Sequence, residues 1–206
     1  DHIWPAEQKH LDDEFVYHAS MHGAAEMLRS GTTTFCDMYF YEAATARACR
    51  EIGIRAHLSE GILSFPAHGH AGAQAMIDYN VNLAKQYAGD DLVTCELGPH
   101  AIYTCQRDDL LKVAAASRKH NLRMQLHLSE ARNEPDDCVN QHGKRPVRYL
   151  DELGLLGPHV TLAHCVWLDD DEIALLAETG TTVAHCGRSN LKLASGIANI
   201  TKMVEA

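Results

Sequence analysis

The chain has 206 residues, enough for one sizeable core and for one domain or at most two. Apolar residues make up 46% and charged residues 22%, an ordinary balance for a soluble globular protein. A net charge of −10 argues against a nucleic-acid backbone or an anionic membrane as partner, since both call for a basic face.

No stretch approaches the roughly 20 apolar residues of a spanning helix. The opening "DHIWPAEQKH" has neither the basic start nor the apolar run of a secretory signal. It also lacks an initiator methionine, which reads as the interior of a longer protein. The seven cysteines, at 36, 49, 95, 105, 138, 165 and 186, are odd in number and irregularly spaced, with no C-x-x-C. They read as free thiols, mostly buried, in a reducing cytoplasm rather than as disulfides or a zinc knuckle.

The predicted elements alternate. Residues 12–29 have helical spacing, with Phe15, His18, Ala19, His22 and Met27 available to one side. "SGTTTFCDMYF" supplies a β-branched strand after a Ser-Gly break, "EAATARACREIG" a helix closed by Gly53, and "IRAHLSEGIL" the next strand. A Gly/Pro-punctuated loop over 64–72 precedes the helix "AQAMIDYNVNLAKQYAG" and the strand "LVTCELG". Then come a helix over 107–120, a strand over 121–128, a helix over 144–153, a strand over 159–166, a helix over 169–179 and the strand "TTVAHC". A last loop, "GRSNLKLASG", leads into a short helical tail.

Six strands in strict β-then-α order imply parallel pairing with crossover helices, either as an open doubly wound sheet or as a (β/α)8 barrel. A Gly-rich phosphate loop after the first strand would favour the open sheet, but "YFYEAAT" has no glycine. Polar residues at the ends of four strands favour a barrel, whose active site is built from all its strand ends. A full barrel takes about 250 residues. The expectation is therefore an incomplete TIM-type barrel with its first and last strands missing.

The strand ends carry His100, His127 with Glu130, His164 and His185. One such histidine is ordinarily a structural cap; four in series ask for a common cause. Histidine is the commonest zinc ligand, and a catalytic zinc uses three or four protein ligands plus a water whose pKa it lowers to about 7. A carboxylate three residues past His127 could take the proton from that water, and Glu130 fits. Cysteine catalysis competes, because His164–Cys165 and His185–Cys186 are adjacent pairs. Neighbours on a strand face opposite sides, which argues against a Cys–His nucleophile.

"LGPHAIYT", "HLSEARNE", "LAHCVWLDDDEI" and "SNLKLASGIANI", with "IWPAE" and "EMLRSGTTTFCDMYF", resemble the amidohydrolase superfamily over essentially the whole chain. Within it they are most similar to the S-adenosylhomocysteine/5′-methylthioadenosine deaminase branch, near the triazine chlorohydrolases. The resemblance implies that residues 1–206 are the central part of a single catalytic barrel domain. It implies His127 as a zinc ligand, Glu130 as the acid/base, and His164 as the residue that orients the hydroxide. His100 and Glu7 would bind substrate, Glu7 through ribose hydroxyls, and "SNLKL" would shape a loop beside the pocket. The family's His-x-His motif and its last aspartate ligand are not in these residues, so the other zinc ligands are expected elsewhere. "HCGRSN" departs from the family's usual loop, and Glu60 stands where an arginine is expected.

The leading expectation is a zinc-dependent hydrolase that deaminates an adenine nucleoside derivative in the cytoplasm, with a small molecule as its partner and no nucleic acid or membrane. A homo-oligomer is compatible with the sequence. A related hydrolase with another leaving group, chloride or an amide, is the alternative within the superfamily. A non-catalytic barrel remnant that binds a small molecule is the alternative outside it. With one zinc ligand, these 206 residues alone are expected to be inactive.

Overall fold

The structure, a computed structural model, describes residues 3–206. The chain divides into two units, one ending at Gly98 and one running from Pro99 to Ala206.

The first unit begins with α1 (Ile3–His10) and α2 (Asp13–Arg29). Asp12 caps α2 by accepting a hydrogen bond from the Phe15 N–H at 2.8 Å, and Asp13 and Glu14 favour the positive end of its dipole. The buried side of α2 is marked by Val16 and Ala24, not by the histidines. His18 and His22 are exposed, each within 4 Å of a glutamate one turn away.

Three parallel strands follow, β1 (Thr34–Tyr39), β2 (Arg55–Ile62) and β3 (Val93–Cys95), in that spatial order. α3 (Glu42–Ile52) and α4 (Ala73–Gln86) make the crossovers. Gly53 ends α3 at φ 82°, a left-handed turn that glycine adopts without a Cβ clash. Small buried residues, Ala46 and Cys49, let α3 approach Ile54, Ala56 and Leu58 of the sheet side. Each fully buried leucine or isoleucine contributes about 1.5–3 kcal/mol relative to exposure. Glu60, at the arginine position, is buried and fixed: it accepts the Tyr41 and Glu42 N–H groups at 3.1 and 3.0 Å and faces His70 Nε2 at 3.3 Å. That carboxylate completes the start of α3.

The second unit holds α5 (Arg107–His120), β4 (Met124–Leu128), α6 (Glu134–His142) and α7 (Pro146–Glu152). It continues with β5 (Val160–His164), α8 (Asp170–Thr179), β6 (Thr182–Ala184), α9 (Gly187–Lys192) and α10 (Ile200–Glu205). The order β4-β5-β6 is parallel throughout. Met124, Leu126 and Leu128 are fully buried on one side of β4, and Gln125 on the other side is also buried, as in a sheet covered on both faces. A capping box at Asp169 and Glu172 starts α8. Glu172 is fully buried and accepts from Arg145 at 2.8 Å and from the Val147 N–H at 3.1 Å.

The expected strands and crossovers are present, and the expected free thiols are free. Cys36, however, is exposed on β1. Two helices differ from expectation. α6 occupies a segment to which no element is assigned above, although Pro135, Asp136 and Asp137 at its start and Gly143 at its end are local helix signals. α9 forms inside the loop expected over "GRSNLKLASG".

Candidate active site

The apolar run of β4 carries the chain to a chemical rim. Register pairs Leu128 with His164, so the ends of β4 and β5 lie side by side. Just there the backbone turns into the left-handed region at three non-glycine residues, Ser129 (φ 49°), His164 (φ 72°) and Cys165 (φ 48°). Such conformations cost about 1–3 kcal/mol each and persist only where the surroundings hold them. The surroundings here are hydrogen bonds across the strand ends. The Cys165 N–H donates to the Leu128 carbonyl at 2.9 Å, and the Val166 and Trp167 N–H groups donate to the Ser129 carbonyl at 3.0 and 3.1 Å.

Three imidazoles gather at this rim. The His100 and His127 rings lie 5.0 Å apart, and the His127 and His164 rings 5.5 Å apart. Glu130 joins them, its Oε2 3.5 Å from His164 Nε2. Hydrogen bonding orients each ring. His127 Nδ1 lies 2.9 Å from the His100 carbonyl, which can only accept, so Nδ1 carries the proton and Nε2 the lone pair. The His100 Nδ1 is 2.9 Å from the Thr104 hydroxyl, whose own proton goes to the Ala101 carbonyl at 3.2 Å. The same tautomer follows. His164 Nδ1 faces Asn190 Oδ1 at 2.8 Å, again with Nε2 turned toward the site.

Burial pushes the His100 imidazole down to about 4, with the adjacent His127 adding to the effect. Burial likewise lowers His127, against the opposing pull of the His100 carbonyl. Both are neutral at pH 7, the form that donates a lone pair. Two polar atoms at this rim, Ser129 Oγ and Asn190 Nδ2, are buried without a hydrogen-bond partner among the described residues. Beside Glu130 opens a cleft of about 310 Å³, lined in part by Ile102, Tyr103, Glu134, Asp137 and Cys138.

The structure thus brings together His100, His127, Glu130 and His164, as the sequence led one to expect. It does not bring His185. Thr181, Val183 and His185 line one groove with Ile173, Leu176 and Ile200 of α8 and α10, so His185 is on the helix side of β6. Strand parity is the reason: positions two apart share a face, and the face of Val183 is the covered one. Cys165 is buried, and its thiol is pushed up by burial, which removes it as a nucleophile. Glu7 lies in the first unit on α1, where the Tyr39 hydroxyl donates to it at 2.6 Å. Sequence reasoning missed Thr104 and the paired role of Asn190, although "SNLKL" had drawn attention to its loop.

A match to the amidohydrolase family runs over residues 2–206. The chain belongs to the amidohydrolase family.

It is 45% identical over 205 residues to a 5-methylthioadenosine/S-adenosylhomocysteine deaminase of Thermodesulfovibrio yellowstonii, covering 100% of this chain and 47% of that protein. It is 41% identical to a 5′-deoxyadenosine deaminase of Methanothermobacter thermautotrophicus, covering 100% of this chain and 48% of that one. A crystal structure of an adenosine deaminase from Xanthomonas campestris with bound zinc superposes with a TM-score of 0.95 at 34% identity, over 99% of this chain and 46% of that one. This amidohydrolase chain therefore spans about half the length of the curated relatives it matches. Its α/β architecture of parallel strands and crossover helices is shared with that solved adenosine deaminase. No helix among the described residues is long and apolar enough to cross a membrane.

The donor set can be tested against zinc. Among the described residues no group of three or more His, Cys, Asp or Glu side chains could hold a metal ion. His127 nevertheless has what one ligand requires: a neutral ring, a fixed tautomer and a carbonyl behind its Nδ1–H. The residues present fit one position of a metal site and not the whole of it.

Proposed function

We propose that residues 1–206 are the central part of a single catalytic barrel domain. The whole protein, on this reading, is a zinc-dependent aminohydrolase that deaminates an adenine nucleoside derivative of the S-adenosylhomocysteine/5′-methylthioadenosine type. The observation that carries the reading is the meeting of three oriented imidazoles and Glu130 at neighbouring strand ends. The names of the relatives support the substrate class.

His127 would be one ligand of the ion, with further ligands from outside these residues. A divalent ion in such a site supplies a water acidic enough to be a nucleophile near neutral pH. The work of this chain is positioning and proton transfer. His164, held at Nδ1 by Asn190, turns Nε2 toward the attacking oxygen. Glu130 takes the proton of the water as its oxygen bonds to C6 of the purine, and delivers it to the ring nitrogen N1. A second proton, from the hydroxyl now on C6, passes through Glu130 to the exocyclic amine; the C6–N bond breaks, the C6 carbonyl forms, and ammonia leaves. His100 contacts the ring, and Glu7 binds ribose hydroxyls. The site is a small-molecule site in a cytoplasmic enzyme.

The test is ammonia release by the full-length protein from adenosine, 5′-deoxyadenosine, 5′-methylthioadenosine and S-adenosylhomocysteine, beside a chlorotriazine. Turnover of at least one nucleoside, lost on chelation and restored by zinc, is expected. Chloride release from the triazine with no ammonia from any nucleoside would overturn the reading.

A further inference from the structure

Glu134 is the least explained carboxylate at the rim. It is half-buried at the first residue of α6, and it lines the same cleft as Glu130. Asn133, the residue before α6, makes no side-chain cap. Glu134 reaches backwards instead: its Oε1 accepts the Glu130 N–H at 3.1 Å and the Ala131 N–H at 2.8 Å. The Glu134 N–H in turn donates to the Ala131 carbonyl at 3.1 Å. One oxygen thus collects two successive amides immediately after the left-handed Ser129, where the chain leaves β4.

Those amides belong to the residue whose side chain does the proposed chemistry and to its neighbour. Fixing them sets the direction of the Glu130 Cα–Cβ bond, and so the place of a carboxylate that must meet water, purine and His164. Upstream, the Val166 and Trp167 N–H groups hold the Ser129 carbonyl. Downstream, Glu134 holds the Glu130 and Ala131 amides. An anionic acceptor of two backbone donors is a strong, short-range clamp. Burial pushes the Glu134 carboxyl up, while the amide hydrogen bonds pull it back, and the nearby Glu130 charge raises it further.

We infer that Glu134 is a positioning residue: its carboxylate clamps the backbone of Glu130 and so aims the acid/base into the site. The inference rests on the acid/base reading of Glu130 above. It assigns Glu134 to holding, with one carboxylate oxygen engaged by two backbone amides.

Three variants of the full-length protein separate the possibilities. E134Q keeps an acceptor oxygen at the same reach without the charge. E134D keeps the charge but draws the acceptor back by one methylene. E130Q removes proton transfer. A displacement of about 1 Å at a reacting group can cost 10²-fold, so E134D is expected to lose about 10- to 10²-fold in kcat with KM and zinc content near wild type. E134Q is expected to stay within about threefold of wild type, because the amide oxygen can still accept both N–H groups. Wild-type kcat in E134D would overturn the inference, as would a loss in E134Q at least as large as that in E134D, since the reach of the acceptor oxygen would then not be the deciding quantity. E130Q reads the underlying proposal separately. Full turnover in E130Q sinks the acid/base role and this inference with it; an inactive E130Q beside an unimpaired E134D sinks the inference alone.

Discussion

The two units share one plan, three successive parallel strands with helical crossovers, and bury opposite kinds of titratable group. In the first, Glu42, Glu60 and Glu96 are 0%, 1% and 2% exposed. In the second, the strand-end polar groups are imidazoles, and the buried Glu172 is tied to Arg145. The carboxylates of the first unit are absorbed by the fold: Glu60 holds the start of α3, Glu96 pairs with His57 at 2.7 Å, and Glu42 accepts the Tyr39 N–H at 3.0 Å. The imidazoles of the second unit point lone pairs away from their hydrogen-bonded sides, into a rim. A βα scaffold dictates neither outcome. What separates them is where each polar group is placed: against a helix start or a neighbouring side chain in the first unit, at the ends of strands in the second.

The comparison predicts opposite responses to change, and the largest should be at His127. His127→Ala in the full-length protein should purify with much less zinc and almost no activity while remaining folded, since removal of one donor weakens a catalytic zinc site. Glu42→Gln should leave zinc content unchanged. Elemental analysis of both variants decides it, and wild-type zinc in His127→Ala would reduce that histidine to a strand cap. Glu130→Gln should follow, with kcat down by about 10² or more and zinc retained. Asn190→Ala should come next, at about tenfold in kcat, because a partner that fixes a catalytic ring typically is worth 10- to 100-fold. Retained turnover there would show that His164 is held by packing alone.

The smallest effect concerns pH and sharpens the contrast. Burial raises Glu42 well above the usual carboxylate range, with Asp37 and Glu60 adding to it, and raises Asp37 to about 6. The native state then keeps protons that the unfolded chain has lost, so this contribution is full below about pH 4 and is lost as pH rises. His100 has the reverse sign. Its imidazole is lowered to about 4, so the unfolded chain binds the proton first, and stability is lost as pH falls from about 6.5 to about 4. In metal-stripped full-length protein, Glu42→Gln should raise the Tm at pH 8 relative to wild type, and His100→Gln should shrink the Tm loss between pH 7 and pH 5. Each shift should correspond to about 1 kcal/mol, or a few degrees. Parallel pH profiles for wild type and both variants would refute the contrast.

Much of the site was legible because its signals are local. His127 and Glu130 are three apart at the end of an apolar run, and His100 and His164 each end a predicted strand. Asn190 was noticed only as part of a loop, because the residue that gives it meaning, His164, is 26 positions away. Glu134 stands only four residues from Glu130. Its hydrogen bonds to two amides, which make it a clamp, depend on how α6 starts. His185 failed for a related reason: its place after a strand was legible, but its face depends on which side of β6 the helices cover.

By itself, then, the sequence determined the β-then-α alternation, the parallel pairing that such alternation requires, and the residue types at the strand ends. Apolar periodicity, Gly53 and the Asp12 and Asp169 caps act within a few residues, and such short-range preferences survive without knowledge of the rest of the chain. Only the tertiary structure decided which imidazoles share a rim, which nitrogen of each carries the lone pair, and where Glu130 points. Those outcomes rest on contacts between distant segments: the His100 carbonyl on His127, Asn190 on His164, and the Val166 and Trp167 amides on Ser129. A hydrogen bond chooses a tautomer only once its partner has been brought within about 3 Å, and that approach is made by packing.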